Sequence, residues 1–274
     1  MRNNQDRLGK AAQGAPPTPA SPNMGFVVPT EFVELPSRGK FYSSEHPLHN
    51  QETIEIKFMT AREEDILASS TLFEKGLAIE RLLQNIVVPE LDTATLLIGD
   101  RNAIMIAARA SAYGNHYFAQ VTCSECLTKQ EYDFDLNKIS YNLDCFNPEL
   151  LEERKIIFNE EEGLFEYTLP KSGVKVGISL LTGAEETKPE SEKDDESAVT
   201  KSLLRFIASV NGNKESEYIS QFVNSMLAWD SKELRAVLPT IVPNIDLRQE
   251  FDCGYCANKE TMEVPLTAAF FWPR

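Results

Sequence analysis

Apolar residues alternate with polar ones in short runs at four places in the third and last fifths of the chain, and each run reads as a half-buried strand. Tyr117 to Thr122 and Gln130 to Leu136 form one pair, and Leu247 to Asp252 with Glu260 to Leu266 form another. Between the members of each pair the pattern breaks at a short polar turn, so two hairpins are predicted. A second pattern switches period partway. Ile54-Glu55-Ile56-Lys57-Phe58-Met59-Thr60 alternates as a strand and then passes into a helical period, and Val176-Gly177-Ile178-Ser179-Leu180-Leu181-Thr182 does the same. Both threonines suit N-caps. Glu63 and Glu185, three residues on, complete capping boxes that satisfy N–H groups the first helical turn leaves open. Asp100 to Tyr113 has helix-forming composition and stops at Gly114, while Pro239 and Pro243 are expected to shorten the corresponding helix further along.

These landmarks recur in the same order. Leu35-Pro36-Ser37-Arg38-Gly39 is echoed by Leu169-Pro170-Lys171-Ser172-Gly173, and Asp100 precedes Cys123 by the interval that separates Asp230 from Cys253. Leu136 and Leu266 fall equally far beyond the second cysteine of each hairpin. The chain is therefore expected to be an α+β protein of two tandem, diverged repeats, each built from a strand, capped helices and a hairpin. We expect the first repeat at 26–145 and the second at 146–274. The offset between matching landmarks drifts, as loop insertions require, and the charged run Glu185 to Glu196 is the largest of these.

Each predicted hairpin turns on a C-x-x-C pair, Cys123-Ser-Glu-Cys126 and Cys253-Gly-Tyr-Cys256. That spacing lets one tight turn supply two thiolates to a metal, and two such turns complete the tetrahedral sulfur shell that zinc favours. The pairs lie much farther apart than the roughly 15–20 residues of a compact ribbon, so Cys123, Cys126, Cys253 and Cys256 are expected to form a long-range zinc staple. With all four positions held by sulfur, the ion has no open coordination site and is assigned a structural role. A redox dithiol, two disulfides and metal-free thiols remain open on spacing alone. The fifth cysteine, Cys145, reads as a small buried hydrophobe.

Charge narrows the partners. The formal net charge is -15, from 42 acidic against 27 basic side chains, which opposes binding along a phosphate backbone. No apolar run reaches the length of a membrane span, and the N-terminus has no signal-peptide core, so synthesis in the cytoplasm is expected. Residues 1–25 carry neither period and are expected to be a disordered tail. Phe270-Phe271-Trp272 near the C-terminus must bury their rings, either inside the chain or on a neighbour. Arg38 and Lys40, on the first Leu-Pro turn, are candidate ion-pair contacts to a partner. No nucleophile elbow, phosphate loop or H-E-x-x-H helix occurs, the three histidines are scattered, and no catalytic residue or small-molecule substrate is nominated.

The ordered set Glu34-Leu35-Pro36-Ser37-Arg38-Gly39-Lys40-Phe41-Tyr42, Thr60-Ala61-Arg62-Glu63-Glu64, Gly99-Asp100-Arg101, Ser111-Ala112-Tyr113-Gly114, the first C-x-x-C and Phe270-Phe271-Trp272-Pro273 resembles the baseplate hub protein family of T-even-type contractile-tailed phages. The resemblance runs from about residue 30 to the end. It implies a structural subunit or assembly factor of the hub, with other tail proteins as partners, the host cytoplasm as the place of assembly and the virion tail baseplate as a destination. On the residues alone, a zinc-ribbon regulator that binds nucleic acid or RNA polymerase, and a redox enzyme using the cysteines, are the competing classes.

Overall fold

A computed structural model describes residues 27–74, 76–186, 198–266 and 268–271. The predicted N-terminal tail, most of the charged run after Glu185, and Trp272 lie outside the described residues. The chain opens with β1 (Thr30–Glu34) paired antiparallel to β2 (Thr53–Lys57), then α1 (Ala61–Ala68), α2 (Ser70–Glu74), α3 (Ala78–Ile86) and α4 (Ile98–Tyr113). The hairpin of β3 (His116–Thr122) and β4 (Lys129–Asp135) follows, then β5 (Ser140–Asn142) and α5 (Pro148–Glu153). Next come β6 (Ile156–Asn159), β7 (Leu164–Thr168), β8 (Lys175–Ile178), α6 (Gly183–Glu186), α7 (Ala198–Phe206) and β9 (Ile207–Val210). After α8 (Ser216–Ser225) and α9 (Ala228–Ile241), β10 (Asn244–Asp246) leads into the hairpin of β11 (Arg248–Asp252) and β12 (Lys259–Glu263). A 3-10 turn at Ala268–Phe271 ends the described chain. The architecture is mixed helix and sheet, as an α+β chain requires.

Both hairpins stand where the alternation places them, each strand end within three residues of its predicted place. Both capping threonines are in use as well: Glu63 accepts from the Thr60 backbone N–H at 2.9 Å, and Glu185 accepts from that of Thr182 at 2.8 Å. The two Leu-Pro turns have the same attachment. Leu35 and Leu169, both buried, end β1 and β7, and the turn after each is held by a fully buried aspartate in the first turn of a later helix. Asp100 accepts from Ser37 N–H (3.0 Å), Ser37 Oγ–H (2.6 Å) and Tyr42 O–H (2.7 Å). Asp230 accepts from Lys171 N–H (2.8 Å) and Ser172 N–H (3.0 Å). Burial raises the Asp100 carboxyl above its ordinary value, against the lowering pull of the Ser37 and Tyr42 hydrogen bonds.

One expectation is corrected. Pro239 does not cut its helix short, because α9 runs through it to Ile241 and stops before Pro243. A proline lacks only its own N–H and crowds one carbonyl of the preceding turn. Buried Leu234, Val237 and Ile241 continue the apolar stripe across it, and that packing outweighs the local loss.

Two hydrophobic clusters form, and their membership crosses the sequence midpoint. One is built from the first half together with Ile245, Leu247, Phe251, Cys253, Val264, Phe270 and Phe271; the other spans Cys145 to Ile241. Phe41 packs on both, with its ring 5.1–5.4 Å from Phe146, Phe158 and Phe165. The halves also meet through backbone. β5 pairs antiparallel with β10, and Thr182 bridges Leu97 at the entrance to α4. Gly99 lies so near this seam that a Cβ there would sit 2.0 Å from the Pro243 carbonyl oxygen, so no other residue fits without moving the chain.

Candidate metal centre

The cysteines come together because two equivalent hairpins lie tip to tip. Within each tip the chain turns back on itself identically. Leu127 N–H donates to Cys123 C=O at 3.1 Å and Ala257 N–H to Cys253 C=O at 3.2 Å. The closing bonds, Cys123 N–H to Thr128 C=O and Cys253 N–H to Asn258 C=O, measure 3.1 and 2.9 Å. Leu127 (φ 56) and Ala257 (φ 59) occupy the left-handed region that the turn demands.

All four Sγ atoms lie within 4.8 Å of one another. Across the two tips Cys123 faces Cys256 and Cys126 faces Cys253, each at 3.7 Å. A tetrahedron of zinc–sulfur bonds near 2.3 Å has an edge of about 3.8 Å, so the two facing pairs stand at the spacing one zinc ion would impose, and the four sulfurs together are close enough to surround it. The donor set therefore fits. Cys123 and Cys253 are buried, Cys126 is half-buried and Cys256 is exposed, which leaves one side of the cluster open to solvent.

The surroundings already favour thiolate at one tip. Hydrogen bonds from Thr128, its side chain first and then its backbone, bring the Cys126 thiol down to about 6. Cys123 is lowered mainly by the Cys126 backbone N–H. For Cys256 the Asn258 backbone N–H pulls downward, but desolvation and the three facing sulfurs outweigh it and push the thiol up to about 12. Four sulfurs this close cannot all ionise alone, and a dication between them removes that conflict by displacing the remaining protons.

Each hairpin also braces its partner's tip. Glu260, on β12, accepts from Ser124 N–H (3.2 Å) and Ser124 Oγ–H (2.6 Å), which holds its carboxyl below the usual range. Gln130, the residue on β4 at the matching distance from its own cysteines, accepts from Gly254 N–H at 3.2 Å through Oε1. Farther down the hairpins, Gln249 exchanges two hydrogen bonds with the backbone of Asp135 (3.2 and 2.9 Å), and Tyr132 donates to Glu250 C=O at 2.9 Å. Sequence reasoning missed this reciprocal bracing. The signal was present, since Gln130 and Glu260 each stand four residues after the second cysteine of their pair.

The other predicted contact residues separate. Phe270 and Phe271 are buried in the chain's own core, with Phe270 edge-on to Tyr117 of the first hairpin at 5.0 Å. Their rings leave no surface to offer a neighbour. Arg109 fixes that end of the chain by donating to the carbonyls of Phe270 (2.7 Å), Gly114 (3.1 Å) and His116 (3.4 Å). Arg38 is exposed and sits over the Phe146 ring at 5.1 Å, and exposed Lys40 donates to Asn50 at 2.9 Å. His46 and His49 brace the loop before α4. His46 stacks on Tyr42 at 4.3 Å and bonds Thr95, while His49 bonds the Tyr42 carbonyl.

A family model described as T4 bacteriophage base plate protein matches residues 28–272, nearly the whole chain. The chain belongs to the T4 bacteriophage base plate protein family. No curated protein and no solved structure matches it. Membership of the base plate family supports a structural role in the tail baseplate of a T4-type phage, among other tail proteins. Among the described residues of this base plate protein, no helix is long and apolar enough to cross a membrane.

Proposed function

We propose that this base plate protein is a structural or assembly component of the baseplate hub that acts through protein–protein contacts on a zinc-stapled, internally duplicated scaffold. The observation that supports the reading is the meeting of both C-x-x-C pairs at one point, all four sulfurs within 4.8 Å of one another and the facing ones 3.7 Å apart. Duplication is supported by the paired Leu-Pro turns, each held by its own buried aspartate, and by the equivalent hairpins. We read residues 26–145 and 146–274 as the two copies. The hub assignment rests on the residues quoted for the family resemblance.

Cys123, Cys126, Cys253 and Cys256 would hold the zinc, and its contribution when bound is to lock the two hairpins, with no reaction assigned to it. A subunit so tied presents its surfaces in fixed relative positions, which is what assembly around a central hub requires. Arg38 and Lys40, exposed on the first Leu-Pro turn, are proposed contacts to tail partners during assembly in the host cytoplasm. Nucleic acid is disfavoured as a partner by the net charge and by Glu125, Glu131 and Glu260 around the metal end.

The test is elemental analysis of the purified protein together with mass spectrometry of purified tails and of assembly intermediates. One zinc per chain and co-purification with hub proteins are expected. Absence from every hub-containing particle would overturn the hub reading, and a metal-free, fully folded protein would overturn the staple.

A further inference from the structure

The two halves carry the same sheet with one strand of difference. In the second half four strands lie in the order β6-β7-β8-β9. β1 corresponds to β7 and β2 to β8, because each pair flanks a Leu-Pro turn. Val87 bridges Ile56 as Ile207 pairs with Ile178, so even β9 has a short counterpart. Only β6 has none. Among the described residues, no strand covers the outer edge of β1.

That edge has only part of the usual protection: β1 is five residues long, follows Pro29 and carries two glutamates, but it has no lysine, no bulge and no covering strand among the described residues. Natural edge strands are blunted by lysine, proline, a bulge or a cover, because a row of free N–H and C=O groups recruits other strands. Here Phe32, in the middle of β1, is 70% exposed, and exposed Val27 and Val28 lead into the strand. Glu31 Oε1 is buried with no hydrogen-bond partner among the described residues, so it has lost water and gained nothing. The charged side chains along this pair are mostly acidic: Glu31 and Glu34 on β1, and Glu52, Glu55 and one lysine, Lys57, on or beside β2. The Glu34 end runs toward Tyr141 of β5, whose hydroxyl is raised by burial and by that carboxylate, which leaves Thr30 to Val33 as the open stretch.

We infer that the outer edge of β1 accepts an extended segment of a neighbouring protein as an added strand, with an apolar side chain against Phe32 and lysine or arginine on the opposite face beside Glu31. Backbone pairing gives such a site its affinity and the side chains give it selectivity. The inference rests on the baseplate reading only for where the neighbour comes from; binding at the edge is a property of the isolated chain.

The experiment uses the full chain and a short fluorescein-labelled peptide of alternating lysine and valine, read by fluorescence anisotropy and by amide exchange over residues 30–34. The peptide is expected to bind and to slow exchange there. Phe32→Asp, and separately Glu31→Gln, should each weaken binding by about tenfold or more. Ile157→Asp, on the edge strand β6, should leave it unchanged. Phe32 is exposed enough that its variant should fold, which circular dichroism checks. No binding, equal binding of a glutamate–valine peptide or of a backbone N-methylated lysine–valine peptide, or equal loss in Ile157→Asp would overturn the proposal. So would slow exchange at 30–34 in the free protein that vanishes on dilution, which would identify a second copy on the edge. Its disappearance on removal of residues 1–26 would likewise overturn the proposal by identifying the chain's own segment there.

Discussion

Replacing Asp100 with alanine removes the acceptor for three donors in a dry site. Ser37 is fully buried and Tyr42 nearly so, and the Ser37 N–H, the Ser37 hydroxyl and the Tyr42 hydroxyl all end on this carboxylate. The hydroxyls can rotate toward other acceptors, but the Ser37 N–H cannot. A buried donor left without a partner costs about 1–3 kcal/mol, and the cost of burying the carboxylate itself is recovered, as its raised pKa indicates. The net loss is expected to be about 1–3 kcal/mol, which for a chain of this size lowers the melting temperature by roughly 5 °C. Asp100→Asn keeps one acceptor oxygen and should lose less than that. Asp230→Ala strands two partly exposed backbone N–H groups that water can reach, so it should cost less than Asp100→Ala. Thermal melts followed by circular dichroism, with urea titrations for the free energies, measure all three. If Asp100→Ala melts within about 2 °C of the parent, or Asp230→Ala is the more damaging, the reasoning from donor burial is wrong.

Three further outcomes follow from the metal end and the caps. Cys253→Ser should lower zinc content and melting temperature together, since structural zinc binding is folding free energy, and an unchanged melt with zinc retained would contradict the staple. Glu260→Ala frees Ser124 from the opposite hairpin and should weaken zinc binding by about tenfold or more in chelator competition while leaving the four thiols countable; unchanged affinity would show that the bracing does not matter. For pH, burial pushes the Glu63 carboxyl up, but its hydrogen bonds to Thr60 outweigh this and hold it below its ordinary 4.5. A depressed acid stabilises the fold above its unfolded value and loses that contribution as pH falls through its folded value. The stability advantage of the parent over Glu63→Gln should therefore be full at neutral pH and shrink below about 4.5, and a pH-independent difference would remove the charged cap from the account.

Much of this molecule could be read from local pattern. Period-two runs marked the hairpins and a threonine followed by glutamate marked both helix starts, because these signals act over a few residues and depend little on what packs above them. The C-x-x-C spacing nominated four ligands for the same reason, since each pair is set by one tight turn. Pro239 was misread because the cost of a helical proline is local, whereas the burial of Leu234, Val237 and Ile241 that overrides it is not. Asp100 and Asp230 were visible as landmarks at equal spacing, yet their task of holding the Leu-Pro turns depends on contacts across some sixty positions of chain.

By itself, then, the sequence determined the two hairpins, the capped strand-to-helix passages and which four cysteines could serve as sulfur donors, all of which follow from short-range geometry and residue chemistry. Only the tertiary structure decided that the last hairpin crosses into the first half's core, that Gln130 and Glu260 brace each other's cysteine turns, that Phe270 and Phe271 face inward, and that no strand among the described residues covers the outer edge of β1. Those outcomes depend on which surfaces exclude water together. Such burial is shared between residues far apart in the chain, so no local window of sequence contains it.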